Sequence, residues 1–88
     1  MTDIIFVTEK IRDLMVTTGV NLIVGVDVYG KWYCHLDDSY ISMGCALNGK
    51  SGRGETFLDA IQDYIETIRG KTLIIHPSGN NRKEIYIM

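Results

Sequence analysis

The spacing of the apolar side chains changes three times along this chain, and each change limits what the segment can fold into. Over residues 3–18 the apolar residues recur every three or four positions, which predicts a helix with one apolar face: Ile4, Val7, Ile11, Leu14 and Met15. Thr2 or Asp3 can cap its start, and Gly19 is expected just after its end. The β-branched residues within 3–7 leave a short strand there as an alternative.

Alternation with a period of two begins at Val20 and predicts β-strands. The first strand is expected to bury one face firmly, and this face consists of Leu22, Val24, Val26 and Val28. A tight turn at Gly30-Lys31 leads into a return strand whose alternate residues are Trp32, Cys34 and Leu36. A second turn at residues 37–39 precedes a third strand over residues 40–47, so the three strands are predicted to form an antiparallel meander.

A wide apolar stripe predicts the second helix, and its members are Phe57, Leu58, Ile61, Tyr64, Ile65 and Ile68. Thr56 is the expected N-cap, with Asp59 three residues further on, and Gly70 is expected to end the helix. Two more strands are predicted over residues 71–76 and 84–88. The order α-β-β-β-α-β-β describes a single α+β domain, residues 1–88, in which two helices pack on one small antiparallel sheet.

The composition argues against several classes of function. With 45% hydrophobic and 23% charged residues the chain resembles an ordinary globular domain. Its net charge of −2 argues against general nucleic-acid binding, which usually needs a basic surface. No apolar run approaches the roughly 20 residues of a membrane span and no signal peptide is visible, so a cytoplasmic protein is expected. A domain this small has a limited core, so we also expect a homo-oligomer.

The nucleophilic and metal-binding side chains do not form a recognisable catalytic set. Cys34 and Cys45 each lie in a strand-like apolar stretch and are expected to be buried free thiols. His35 and His76 have no sequence neighbours that suggest a proton relay, and Asp37-Asp38 is typical of a turn. The sequence therefore predicts a protein that is not an enzyme and that has no cofactor and no metal site.

The segment NGKSGRGET, residues 48–56, directly precedes the second helix. Backbone N–H groups at a helix start attract anions, and Lys50, Ser51 and Arg53 add suitable donors, although the Walker A pattern is not present. Two interpretations remain open: a site for a small anion such as a nucleotide, or a mobile connection kept soluble by its charges. The candidate ligand-binding residues are Lys50, Ser51, Gly52, Arg53, Gly54, Thr56 and Arg82. Arg82 and Lys83 form a second basic position, which is expected near the Lys71 end of the preceding strand.

Aromatic residues cluster around the predicted turns and near the C-terminus, and the candidate interface residues are Tyr29, Trp32, Tyr33, Tyr40 and Tyr86. Three of them, Tyr29, Tyr33 and Tyr40, are expected to share the sheet face opposite the valines. Such a face is expected to be covered by the first helix or by another subunit. The apolar strand at the C-terminus is likewise expected to be paired or packed.

Residues 28–85 resemble two groups of proteins. A Trp-containing strand and a glycine-containing strand, followed by G-x-G-x-T-x-x-x-A-I at residues 52–61, resemble the core of HicB-like antitoxin domains. The runs GRGETFLDAIQDYIETIRGKTLII and NRKEI are similar to small proteins encoded by phages and prophages of Gram-positive bacteria. The first resemblance implies a meander, a helix and a strand that block a toxin. The second implies an accessory protein that antagonises or redirects a host component.

These observations lead to one principal hypothesis and two alternatives. The principal hypothesis is a non-enzymatic, homo-oligomeric binding protein of phage type. It would antagonise a host defence component by blocking a protein or by sequestering a small anionic nucleotide. The first alternative is an antitoxin-like inhibitor of a small RNase toxin. The second is an enzyme that acts on a phosphorylated substrate with His35 as its base.

Overall fold

A computed structural model describes residues 4–44 and 46–88 of the chain. Its elements, in chain order, are α1 (Ile4–Thr18), β1 (Leu22–Val26), β2 (Trp32–Leu36), β3 (Ser39–Met43), β4 (Ala46–Asn48), β5 (Gly52–Gly54), α2 (Phe57–Ile68), β6 (Thr72–Ile75) and β7 (Lys83–Tyr86). The predicted α+β class is confirmed, and the predicted order of helices and strands is recovered. Two refinements apply: the third predicted strand is divided into β3 and β4, and the short β5 is added before α2.

The strands form two antiparallel sheets, whereas the sequence predicted one. The first sheet has the order β1-β2-β5 and the second has the order β4-β3-β6-β7. The predicted meander is therefore wrong at its last step, since β3 pairs with β4 and β6 and not with β2. Asp38 takes the left-handed backbone conformation with φ of 50°, and the chain passes there from one sheet to the other. Gly44, with φ of 65°, lies in the turn that divides the predicted third strand.

The N-terminal segment is helical from Ile4, which confirms the helix and not the alternative strand. Ile11 and Leu14 are buried in the core and Met15 packs against it, as the apolar spacing predicted. Several predicted features fall outside the described part of the chain, namely the caps Thr2 and Asp3 and the side chains of Ile4 and Val7.

Gly19 ends α1 as predicted. Its φ is 74°, and its N–H donates to the carbonyl oxygen of Met15 at 2.9 Å. The buried Thr18 hydroxyl donates to the carbonyl oxygen of Leu14 at 2.7 Å. The hydroxyl of this last helical residue is thus hydrogen-bonded within the last turn of the helix.

Helix α2 lies against β5 and β2 and supplies the centre of the core. Thr56 is its N-cap, as predicted, and accepts a hydrogen bond from the backbone N–H of Asp59 at 3.1 Å. Five of its side chains are buried: Ala60, Ile61, Tyr64, Ile65 and Ile68. Phe57 and Leu58 belong to the predicted stripe but remain partly exposed, and the Phe57 ring lies 5.9 Å from that of Trp32.

The predicted burial of the valine face of β1 is wrong. Val24 and Val26 are 39% and 51% exposed, and Val28 is 93% exposed in the turn that follows the strand. The reason is the position of the helix. β1 lies at one edge of the sheet, whereas α2 packs on β2 and β5, toward the opposite edge. Only Leu22, at the start of the strand, packs against the core.

The C-terminal strand is paired and packed, as the sequence predicted. β7 pairs with β6, and Ile87 is buried and exchanges backbone hydrogen bonds with Gly70 and Lys71. The register places Lys83 opposite Ile75, at the end of β6 away from Lys71. The expected proximity of the Arg82 position to Lys71 is therefore wrong, because antiparallel pairing brings it to the opposite end of the strand.

Candidate functional site

The glycine-containing segment is not a mobile connection, since Gly52–Gly54 forms β5 and pairs with β2. Gly52 lies opposite Cys34, and Gly54 lies opposite Trp32, so both glycines lie on the face that α2 covers. A Cβ at Gly52 would collide with the backbone of Ala60 and Tyr64, and one at Gly54 would collide with Asp59 and Ala60. These two predicted ligand-binding residues therefore serve the close approach of strand and helix.

Arg53, between them, is held by two carboxylates. Its guanidinium pairs with Asp27 at 2.9 Å, and its backbone N–H donates to Asp63 at 2.9 Å. Asp27 also accepts the backbone N–H groups of Lys31 and Tyr29. The hydrogen bond from Lys31, the hydrogen bond from Tyr29 and the Arg53 charge together lower the pKa of Asp27, against a smaller opposing effect of burial. Arg53 thus links β5 to the β1–β2 turn.

Lys50 and Ser51 border an open cleft of about 300 Å³ where the two sheets meet. Two of the three connections between the sheets line it: Asp38 belongs to the one from β2 to β3, and Lys50 and Ser51 belong to the one from β4 to β5. We call it the junction cleft, and its lining residues are His35, Asp38, Ser39, Tyr40, Gly49, Lys50 and Ser51. Its volume is near the lower limit of about 300 Å³ for small-molecule sites.

The junction cleft contains a free ammonium group and a free ring nitrogen. Lys50 is exposed and has no hydrogen bond or ion pair within residues 4–44 and 46–88. His35 has its Nδ1 atom 2.9 Å from the carbonyl oxygen of Leu36. Because a carbonyl oxygen only accepts, the hydrogen resides on Nδ1 and leaves Nε2 for a ligand. The Asp38 carboxylate accepts a hydrogen bond from Nδ1 of His76 at 2.9 Å.

Below the cleft a closed ring of hydrogen bonds fixes the bend between the sheets. The Leu36 N–H donates to the hydroxyl of Tyr64 at 3.2 Å, and the Ser39 hydroxyl donates to the carbonyl oxygen of Leu36 at 2.6 Å. The Tyr64 and Ser39 oxygens are 3.3 Å apart, which leaves Tyr64 as the donor between them. Burial raises the pKa of Tyr64, while its hydrogen bonds oppose this effect.

Arg82 lies in a different cleft, of about 370 Å³, which is also lined by Lys83, His76 and Gly19. The contact between Asp38 and His76 joins the linings of the two clefts. Lys83 reaches the residue that ends α1, where a helix terminus carries partial negative charge, so its position has a structural explanation. The seven predicted ligand residues are therefore dispersed: in the part of the chain that the structure describes, Lys50 and Ser51 line one cleft and Arg82 lines another.

The predicted interface residues do not share a face either. Trp32 contacts Phe57 on the helix side of the first sheet, whereas Tyr33 covers Gly25 on its other side. Tyr29 is exposed in the β1–β2 turn. The two remaining residues, Tyr40 and Tyr86, lie on the outer face of the second sheet. The expectation that Tyr29, Tyr33 and Tyr40 form one surface is wrong because β2 and β3 belong to different sheets.

The proximity of Asp38, Ser39 and Tyr40 to Lys50 was not predicted. Two of the three crossings between the sheets bring these residues together, so the local sequence contains little sign of it. His35 was considered only as a catalytic base. The one available signal was the position of Asp37-Asp38 between two strands, which sequence analysis interpreted as a hairpin turn.

Among the described residues there is no group of three or more His, Cys, Asp or Glu side chains that could hold a metal ion. Within the same part of the chain, no helix has the length and apolar character needed to cross a membrane. Comparisons with protein-family models, with curated proteins and with solved structures give no match.

Proposed function

We propose that this protein is a non-enzymatic binding protein that holds a small anionic nucleotide in the junction cleft. In this proposal it is a cytoplasmic accessory protein of phage type and sequesters a nucleotide that a host defence component uses. The resemblance of residues 28–85 to phage-encoded proteins supports the accessory role. The geometry of the cleft supports the class of ligand.

The observation that carries the proposal is Lys50, which has no ion-pair partner among the described residues and lies at the cleft between the two sheets. An ammonium group without a carboxylate partner attracts phosphate, and the adjacent Ser51 hydroxyl can donate a further hydrogen bond. Nε2 of His35 is available to a ligand, and the half-buried Tyr40 ring offers an apolar surface to a base. A cleft of about 300 Å³ suits a ligand of mononucleotide class better than a polymer.

A sequestering role, without turnover, is favoured by the state of the possible nucleophiles. Burial raises the pKa of the Cys34 thiol to about 11, with a further contribution from the charge of Asp63. The Ser39 hydroxyl next to the cleft donates to a backbone carbonyl and is held by Tyr64. Among the described residues, the Ser39 hydroxyl has no hydrogen bond to a histidine or carboxylate that would activate it as a nucleophile.

The test is isothermal titration of the whole protein with adenosine diphosphate and with inorganic phosphate. Loss of one charge-assisted hydrogen bond, of about 1.5–3 kcal/mol, predicts that Lys50→Ala weakens binding about 10- to 100-fold. The matched control is Lys83→Ala, which removes a lysine from the other cleft and is expected to leave the affinity unchanged. The proposal fails if neither probe binds, or if only Lys83→Ala reduces binding.

The antitoxin-like alternative has one observation in its favour, the outer face of the second sheet. Leu47 and Tyr86 lie on this face and are 41% and 64% exposed, and Tyr40 lies on the same face of the sheet. Aromatic and aliphatic side chains at a surface favour contact with a protein. Coexpression with a small RNase toxin separates the two functions: protection that is lost in Tyr86→Glu but kept in Lys50→Ala would favour inhibition of a toxin.

A further inference from the structure

Strand β1 pairs with β2 along one of its edges, and its other edge has no partner strand among the described residues. Asp37 N–H donates to the carbonyl oxygen of Asn21, and Asp27 N–H donates to the carbonyl oxygen of Lys31, each at 2.9 Å. In an antiparallel ladder these contacts mean that the odd-numbered residues of β1 point their backbone groups toward β2. The backbone N–H and C=O groups of Leu22, Val24 and Val26 therefore point outward, away from the sheet.

The other sheet edges are protected in ways that β1 is not. The outward N–H of Arg53 in β5 is occupied by the Asp63 carboxylate. β7 begins with the charged pair Lys83 and Glu84, and β4 has only three residues. β1 has five residues, LIVGV, with no charge and no proline, and the exposure of Val24 and Val26 indicates that the described part of the chain does not cover it. Natural edge strands usually carry such protection.

We propose that β1 is a dimerisation edge, on which β1 of a second copy of this chain pairs antiparallel around a two-fold axis at Val24. In this register Val24 lies opposite Val24 of the second copy, and Leu22 lies opposite Val26. All three residues with outward backbone groups then pair on both chains, whereas every shifted register leaves some unpaired. The product is one continuous six-stranded sheet with the order β5-β2-β1-β1-β2-β5.

The side chains of the strand are compatible with this arrangement on both faces. On the helix side, apolar Val24 meets its own copy without opposing charges. On the other side, Ile23 lies opposite Gly25 of the second copy, over which the Tyr33 ring of that copy packs. A second copy is the occupant favoured here because an uncharged, self-complementary edge makes an isologous contact with itself. The inference does not depend on the anion-binding proposal, since the junction cleft lies on other strands.

The first test uses charge at the two-fold axis, followed by analytical ultracentrifugation of the full chain. Val24→Lys and Val24→Glu each place like charges opposite one another, and each is expected to weaken the dimer about 100-fold or more. An equimolar mixture of the two variants should recover dimers, because residue 24 of one chain faces residue 24 of the other. The control, Val28→Lys, puts the same charge in the exposed turn and should leave dimerisation unchanged.

The second test uses the unmodified protein, so it can be carried out even if a charged variant fails to fold. Hydrogen exchange of the unmodified protein should show the amides of Leu22, Val24 and Val26 protected at high concentration and exchanging rapidly on dilution. The amides of Ile23 and Gly25, bonded to β2, should remain protected at both concentrations. A protein that is monomeric at high concentration, or a dimer that is unaffected by both charged variants, overturns the proposal.

Discussion

Gly52 lies so close to the backbone of Tyr64 that only a hydrogen atom fits between β5 and α2 at this position. A strand normally stands about 10 Å from a packed layer because side chains fill the space between them. Here the strand has no side chain on its inner face, so the helix axis comes closer, and Tyr64 reaches the bend between the two sheets. The glycines thus determine where the helix lies.

Gly52→Ala is therefore expected to destabilise the protein by about 1–3 kcal/mol or more, because the new methyl group would collide with backbone atoms that cannot rotate away. Urea unfolding followed by circular dichroism gives this free energy. The matched control is Gly79→Ala, where a Cβ would meet nothing closer than 3.8 Å. If both substitutions cost the same, the close approach of β5 and α2 does not limit stability.

The parts of the structure that local periodicity and helix caps determine agree with the prediction. The stripe of α2, the Thr56 cap and the positive-φ glycines Gly19 and Gly70 follow from short-range physics, so they could be predicted. The same rules failed for Val24, because alternation predicts which residues share a face but not whether a helix covers that face. Burial depends on which strand lies at the edge, and that is a property of the whole sheet.

The candidate site shows the same limit. Lys50 and Ser51 could be nominated from residue type, but Arg53 has the same chemistry and is committed to Asp27, twenty-six residues earlier in the chain. Arg82 has the right charge but lies in another cleft. Which cations are free depends on long-range pairing, and a single sequence contains no direct signal of such pairing.

Tyr64→Phe is expected to cost about 1–3 kcal/mol, because removing the hydroxyl leaves the buried N–H of Leu36 without an acceptor. The measurement is again the free energy of unfolding in urea. Tyr86→Phe is the matched control, since its ring is exposed and its substitution is expected to cost less than about 0.5 kcal/mol. Equal costs at the two positions would contradict the role of the Tyr64 hydroxyl at the bend.

Ser39→Ala is expected to be coupled to Tyr64→Phe, since both hydroxyls belong to one ring of hydrogen bonds with Leu36. A double-mutant cycle on the unfolding free energies should give a coupling of about 0.5–3 kcal/mol. Strict additivity would mean that the contact between the two hydroxyls contributes nothing to stability.

Asp27 is expected to make the protein sensitive to acid. Its pKa is lowered in the folded state from an ordinary value of 3.8, so it stabilises the fold above that value, and this contribution is lost as the pH falls through the folded pKa. Asp27→Asn should therefore reduce the loss of stability that occurs as the pH falls below 3.8 in urea titrations. Asp13→Asn, at an exposed position of α1, serves as the control. An unchanged acid dependence in Asp27→Asn would contradict the assignment.

Cys34 is expected to react with thiol reagents only when the protein opens. The side chain is fully buried between β2 and α2, and burial raises its pKa to about 11, so about one thiol in a thousand is ionised at pH 8. The measurement is the rate of modification by a disulfide reagent in a chain carrying Cys45→Ser, so that one thiol remains. The rate should rise in parallel with the unfolded fraction as urea is added, because opening exposes the thiol and restores its ordinary pKa.

Gly52→Ala should accelerate modification without urea, since β5 covers the same part of the core. Rapid modification of the unperturbed protein would show that β5 separates readily from β2, and it would contradict the rigid glycine contact between β5 and α2.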